Sequence, residues 1–330
     1  MLRFVLRRLL IIPVILIVVN FLGFTYAHYA KPLRAARTPY VSVEEAGPLY
    51  PAYRSYLQSV ANLQFDTQLS TPGSTREGPS SLGETLVKAT LASLGLLAIA
   101  LVLSVIVGFI IGLRAVKNEP TGVSRWLTFL STIGLAMPSF YIGSLFIMAS
   151  VFYVLWLGPG SEMPLPLSGF GWDKHLVFPV LALMARPTVQ LAAVTAGVLS
   201  GELNKQYVVA ARSLGYTWRS IRNHYALRNV IAPLILTIAG MLRLLVGELV
   251  LIEWLFRWPG LGRLLAWTLV PAQLTSSKGS PLFLNPEVMA AVLTLIAALF
   301  LLSDFVAAVL VRVFDPRLRV PEGDIAREGI

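Results

Sequence analysis

Between Gln206 and Asn229 the chain reads QYVVAARSLGYTWRSIRNHYALRN, which carries Arg212, Arg219, Arg222 and Arg228 and no acidic residue. Guanidinium groups without facing carboxylates steer and select a charged partner; they do not transform a substrate. A second set of ionisable and polar residues lies inside long apolar runs: Arg186 and Gln190 in one, Arg243 and Glu248 in another. Charge in hydrocarbon is costly, so such residues mark a pathway or a bundle contact. Arg186, Gln190, Ala193 and Gly197 fall on one helix face, and Gly240, Arg243 and Gly247 on another. The arginines would give a pathway a positive midsection suited to a carboxylate. The alternative is that Arg243 pairs with Glu248 or Asp304 and holds a bundle together.

Catalytic chemistry finds little footing. His28, His175 and His224 lie at the ends of apolar runs or between them, with no His-Glu-x-x-His and no Gly-x-Ser-Gly, so a membrane protease is disfavoured. There is no cysteine, hence no disulfide framework and no thiolate metal site. No Gly-x-x-x-x-Gly-Lys-Ser/Thr phosphate loop is present, so the chain does not hydrolyse ATP by that route. No bound cofactor or metal is expected.

These residues must be positioned by membrane helices. Of 330 residues, 56% are hydrophobic and 13% charged, against about 25% charged in soluble domains; mean hydropathy is +0.71. The net charge of +10 would fit nucleic acid, but the basic residues sit between apolar runs of spanning length, about 20 residues. The sequence predicts an all-α polytopic membrane protein forming one domain, 1–330, with membrane lipid around it and no nucleic acid. Six spans are expected, at Leu9–Ala27, Leu86–Leu113, Leu127–Leu157, Leu176–Ser200, Ile231–Phe256 and Val288–Val311. The first follows Arg3, Arg7 and Arg8 like a signal peptide, but it is longer than the usual apolar stretch of about 7–15 residues and reads as an uncleaved span. Trp126, Trp156, Trp172, Trp254 and Trp258 near span ends read as interfacial anchors, and Gly108-x-x-x-Gly112 as a packing face.

Basic residues set the orientation. With the N-terminus inside, the inner segments hold Arg3, Arg7, Arg8, Arg114, Lys117, Arg125, Lys205, the four arginines first quoted, and Arg312, Arg317, Arg319 and Arg327. The two short outer loops hold only Lys174, Arg257, Arg263 and Lys278. Both termini and the 201–229 loop are therefore expected in the cytoplasm, with 28–85 outside. That outer loop should hold a short surface helix in YLQSVANLQF, followed by the connector STPGSTREGPSS. Within 201–229, Gly215 suits the left-handed position that ends a helix, and Thr217 caps a second helix over Trp218–Arg228. Trp218, Ile221 and Tyr225 would form an apolar ridge on it.

The segments VAARSLG and HYALRN resemble the ATPase-coupling loop of binding-protein-dependent ABC importer permeases, in particular the peptide and nickel branch. EWLFRWPGLGRLL, from Glu253, is similar to that branch's Glu-x-x-Phe-x-x-Pro-Gly-Leu-Gly signature, through Glu253, Phe256, Pro259, Gly260 and Gly262. GLAMPSFYIGSLFI, VGFIIGLRAV and FDPRLR also resemble family segments, and the likeness runs from Tyr56 onward. Val209 stands where the family often has an acid. Arg186 lies seven residues before Ala193, where relatives carry an arginine, which leaves substrate identity open. The resemblance implies a type I importer transmembrane domain in a prokaryotic inner membrane, working by alternating access. It implies a second homologous permease, two cytoplasmic ATPases that bind ATP and Mg, and an extracytoplasmic binding protein. It implies that Ala210, Ala211, Arg212, Gly215, Tyr216, Trp218, Arg219, Ile221, Arg222, Tyr225 and Leu227 meet the ATPase; Arg186, Gln190, Arg243 and Glu248 are the candidate pathway residues read from the charges within the spans. Peptide is the favoured cargo, since no histidine lies in a span to bind nickel; a channel or secondary transporter is the alternative outside the family.

The cysteine-free background makes orientation directly testable. Single cysteines at Ser213 and Gly73 are expected to react with an impermeant maleimide from opposite sides of the membrane; labelling of both from outside would overturn the topology.

Overall fold

The computed structural model describes residues 2–35, 47–62, 68–69, 80–117, 122–158, 163, 165–270 and 282–314. The STPGSTREGPSS connector up to residue 79 and the Asp-Pro-Arg segment at 315–317 lie outside them. Helices α1 (Leu2–Ala35) and α2 (Leu49–Ala61) are followed by α3 (Leu82–Ala115), α4 (Arg125–Ala136) and α5 (Ser139–Leu157). Then come α6 (Val177–Leu203), α7 (Gln206–Ser213), α8 (Trp218–Ser220), α9 (Leu227–Leu255), α10 (Leu261–Leu269) and α11 (Pro286–Phe314). Two short antiparallel ladders, β1 (Gln68–Leu69) with β2 (Ser80–Ser81) and β3 (Val116–Lys117) with β4 (Gly122–Val123), sit between helices. Six helical stretches are long and apolar enough to cross a membrane. The chain is a multi-pass membrane protein.

The third stretch is not one helix. The sequence suggested Leu127–Leu157, but Pro138 divides it: Met137, held extended at φ −89° and ψ 123°, ends α4, and α5 begins at Ser139. A proline lacks the N–H a helix needs and pushes its predecessor out of the helical region. The surface helix also differs from the expectation. It starts at Leu49, earlier than YLQSVANLQF, because Leu49, Ala52, Tyr53, Tyr56 and Val60 pack on Phe24 of α1.

Within the bundle α3 lies along α6, α9 packs beside α6, and α1 pairs with α11. Trp258, Phe256, Leu245, Leu183 and Leu96 are fully buried. Large apolar side chains on α5 face outward instead, Trp156 being 84% exposed and Leu155 70%, as lipid-facing side chains must. The α3–α6 approach depends on two glycines. A Cβ on Gly108 would lie 2.7 Å from the Thr188 carbonyl oxygen, and one on Gly112 would lie 2.8 Å from that of Ala192 and 2.6 Å from Thr195 Cβ. Small residues let membrane helices touch backbone to backbone.

Gly112→Val is therefore expected to force α3 off α6 at a cost of about 1–3 kcal/mol. The measurement is the melting temperature of the detergent-solubilised protein, which should fall; an unchanged midpoint would show that the interface is loose.

Candidate functional site

Midway along the bundle a cavity of about 650 Å³ opens between four helices, lined by Leu135, Arg186, Gln190, Gly240, Arg243, Leu244 and Phe300. Arg186 and Gln190 project from α6 one turn apart; Gly240, Arg243 and Leu244 come from one face of α9. Arg186 Nη1 donates to Glu248 Oε1 at 2.9 Å, and Glu248 also accepts the Ser139 hydroxyl at the start of α5. Arg243 Nε donates to Asp304 Oδ1 at 2.8 Å, and Arg8 Nη1 to Asp304 Oδ2 at 2.7 Å. Arg186 thus has an acid of its own, while Asp304 is shared by Arg8 and Arg243, so the positive midsection suggested by the sequence is reduced to one net charge over three arginines and two acids. The two that face the cavity remain partly open, with side-chain exposures of 35% for Arg186 and 43% for Arg243. Added Cβ atoms on Gly197, Gly240 and Gly247 would meet nothing within 4 Å. Those small residues are exposed and face open space among the described residues.

At one end of the bundle, α6 stops at Leu203 and α7 turns away. Gly215 has φ +86°, its N–H donates to the Arg212 carbonyl, and the Tyr216 N–H donates to that of Ala211. Thr217 Oγ1 accepts the Ser220 N–H at 3.3 Å. Ala210, Arg212, Gly215, Tyr216, Arg219 and Tyr225 are exposed; Ala211, Trp218, Arg222 and Leu227 are half-buried. The Arg212 guanidinium stacks over Trp218 at 5.0 Å, and Tyr216 meets Tyr225 edge-on at 5.9 Å. Val209 and Leu214 project into open space, 69% and 77% exposed.

Two expectations fail here. Trp218–Arg228 is no separate helix: it passes through a π-helical turn, Ile221–Ala226, directly into α9. A π turn adds one residue per turn, which rotates the face set by Trp218. Ile221 opens that turn fully buried among α6 and α9 residues and is not a surface anchor, while Tyr225 is carried off its face and stays exposed.

At the opposite end Glu253 is fully buried. Ser93 Oγ donates to its Oε1 at 2.5 Å, and the Gly262 N–H to its Oε2 at 2.6 Å. Ser93 Oγ also accepts the Leu261 N–H at 2.9 Å. A carboxylate from α9 and a hydroxyl from α3 thus take up the first free N–H groups of α10, the usual need of a helix start. Gly260 is obligatory because any Cβ would strike the Glu253 carboxylate, and Gly262 because a Cβ would lie 2.5 Å from Val250 Cα. Phe256 is buried and Pro259 half-buried. Trp258, expected as an interfacial anchor, is fully buried, and its Nε1–H donates to the Ala92 carbonyl at 3.0 Å. The spacing could not show that the chain folds back at Arg257, whose φ is +53°.

Residues 104–320 match the family described as "binding-protein-dependent transport system inner membrane component". The chain belongs to this family. It is 25% identical to the oligopeptide transport system permease protein AppB of Bacillus subtilis, over 96% of this chain and 99% of that one. It is 28% identical to the dipeptide transport system permease protein DppB of Lactococcus lactis, over 67% and 66%. The metal-staphylopine import system permease protein CntB of Staphylococcus aureus is 27% identical over 97% and 99%. The chain is thus a permease subunit of an ABC importer, a translocation subunit that works with a substrate-binding protein and an ATPase. The channel, secondary-transporter and protease alternatives fall away.

In this permease, sequence reasoning missed three residues around Glu202. That carboxylate accepts from Asn229 Nδ2 at 2.8 Å, Tyr207 Oη at 3.2 Å and Lys205 Nζ at 2.5 Å. The one signal was that Glu202 is the sole acid between 201 and 229. Burial, and then the neighbouring carboxylate, push the Tyr207 phenol up to about 12, so it stays a donor throughout the physiological range.

The paired charges in the permease cavity yield a stability test. Arg186→Leu strands Glu248, whereas Arg186→Leu with Glu248→Leu removes both charges. The single variant is expected to melt at a lower temperature than the double. Its loss should fall below the about 3–5 kcal/mol of fully buried pairs, since Arg186 is 35% exposed. Equal losses would mean the two side chains do not interact.

Proposed function

We propose that this permease pairs with a second, homologous permease to enclose a pathway for ATP-driven uptake of peptides. In this reading the α7 end and both termini face the cytoplasm, and two ATPases there bind ATP and Mg. The binding protein delivers cargo to the α10 end. The α7 orientation is supported by the concentration of Arg212, Arg219, Arg222 and Arg228 there. The second permease is supported by Gly197, Gly240 and Gly247, small residues turned toward free space. Peptide cargo is supported by the names of two relatives and by a cavity that offers the Gln190 amide and two anchored guanidiniums to amides and a terminal carboxylate. Nickel is the weaker reading: the described residues hold no group of three His, Cys, Asp or Glu side chains placed to bind a metal.

The observation that carries the proposal is the α7 turn itself. Val209, Leu214 and Tyr216 present exposed apolar surface in a segment that also carries Arg212, Arg219 and Arg222. Ala210 lets a partner approach closely, and Gly215 holds a left-handed bend that costs other residues about 1–2 kcal/mol. Trp218, Tyr225 and Leu227 support the surface, with Arg212, Arg219 and Arg222 as its rim. Such a surface suits a groove on an ATPase, where a few large side chains supply most of the binding energy.

Ala210→Glu and Gly215→Val are therefore expected to leave the permease inserted and paired but to abolish co-purification of the ATPases. Uptake of a labelled tryptic peptide digest into vesicles should fail with it. Retention of the ATPases and of wild-type uptake in both variants would reduce the turn to a charged topology anchor.

A further inference from the structure

Neither the cavity nor the α7 surface uses the joint at Glu202. This residue lies in the last turn of α6 with a side chain only 8% exposed. Its three donors come from three segments: Lys205 from the connection to α7, Tyr207 from the first turn of α7, and Asn229 from the first turn of α9. Around it Leu199, Leu203, Val208, Ala226 and Val230 are buried in one apolar cluster.

The two kinds of contact constrain motion differently. Apolar burial is non-directional, so greased surfaces slide over one another at little cost. Hydrogen bonds fix both distance and angle, and those to an ionised acceptor are about twice as strong as neutral ones. Lys205 is 59% exposed, so its exposed ammonium adds little. Tyr207 and Asn229 do the fastening. Only Asn204 and Lys205 separate α6 from α7, so with Glu202 in place α7 has no free hinge at its start.

We infer that Glu202 is a positioning residue that locks α7 to the ends of α6 and α9, so that the three move as one lever between the ATPase and the pathway. This rests on α7 as the ATPase-docking element. Without the lock, α7 follows the ATPases while α6 and α9 stay behind. Hydrolysis then continues but is no longer coupled to the opposite face. The same break interrupts the mechanical path from the outer face to the ATPases, so the binding protein also loses its influence on hydrolysis.

The test uses the assembled complex of both permeases, ATPases and binding protein. Spin labels at Ser213 on α7 and at Leu181 on the same α6 helix, about 33 Å of helix from its end, report the lever directly. In the wild type, their distance should stay the same in nucleotide-free and vanadate-trapped complexes; in Glu202→Ala it should shift or broaden on trapping. Glu202→Ala should also keep its ATPases and basal hydrolysis, yet lose about tenfold of the stimulation given by binding protein loaded with a tryptic peptide digest. Asn229→Leu should act in the same direction. Glu202→Gln still accepts from Tyr207 and Asn229 and should retain at least about half the stimulation. A wild-type distance that changes with nucleotide overturns the lever, as does full stimulation in Glu202→Ala. Loss of the ATPases from Glu202→Ala also overturns it, because Glu202 would then shape the docking surface. Gly215→Val separates the two ideas: if it keeps the ATPases, the docking assignment fails, while the spin-label distance still decides the lever.

Discussion

A carboxylate withdrawn from water must find its donors inside the protein, and that requirement organises this bundle. Four acids sit along it at successive levels. Glu202 takes Tyr207 and Asn229; Asp304 takes Arg8 and Arg243; Glu248 takes Arg186 and Ser139; Glu253 takes Ser93 and the Gly262 N–H. Every one of these joints includes a residue of α9, either as the acid or as a donor. From Asn229 to Glu253 they cover about 36 Å of helix. α9 is thereby tied in turn to α6 and α7, to α1 and α11, to α5 and α6, and to α3 and α10.

The pattern has a physical reason. Between membrane helices there is little hydrophobic driving force, since lipid tails are as apolar as leucine. Packing, as at Gly108 and Gly112, sets how closely two helices approach. Polar joints fix distance and angle where they occur. The outward face of α5 carries no such joint and is left to lipid without rearranging the core.

Much of this was legible in the sequence, and the parts that were not share a cause. Six spans follow from hydropathy because a spanning helix must be apolar along some 20 residues. Gly108 and Gly112 declare a close helix contact through their spacing alone. What spacing cannot express is a change of helical register or a reversal of the chain. The π turn at Ile221–Ala226 has an unremarkable composition, yet it parts the exposed Tyr225 from the buried Ile221, which helical spacing places on one face. The reversal at Arg257 buries Trp258, which by position alone reads as a residue of the interface. Arg243 with Asp304 was a pairing the sequence offered; the other partners were invisible for the same reason, since Ser93 and Glu253 are 160 residues apart and Arg8 and Asp304 are 296.

The glycines of the outer signature show how such joints reach back into sequence. Gly260 and Gly262 are not there for flexibility, since neither has a positive φ. They are there because the Glu253 carboxylate and the α9 backbone occupy the space where their side chains would be. The acid needs the Gly262 N–H; α10 needs a partner for its first amides; both needs are met only if the chain passes within contact distance of α9. One buried carboxylate thus dictates glycine seven places downstream, and the α9 backbone at Val250 dictates the second glycine two places further on. A motif that reads as a string of small residues around a proline is the outline, in sequence, of the α9 surface it folds against.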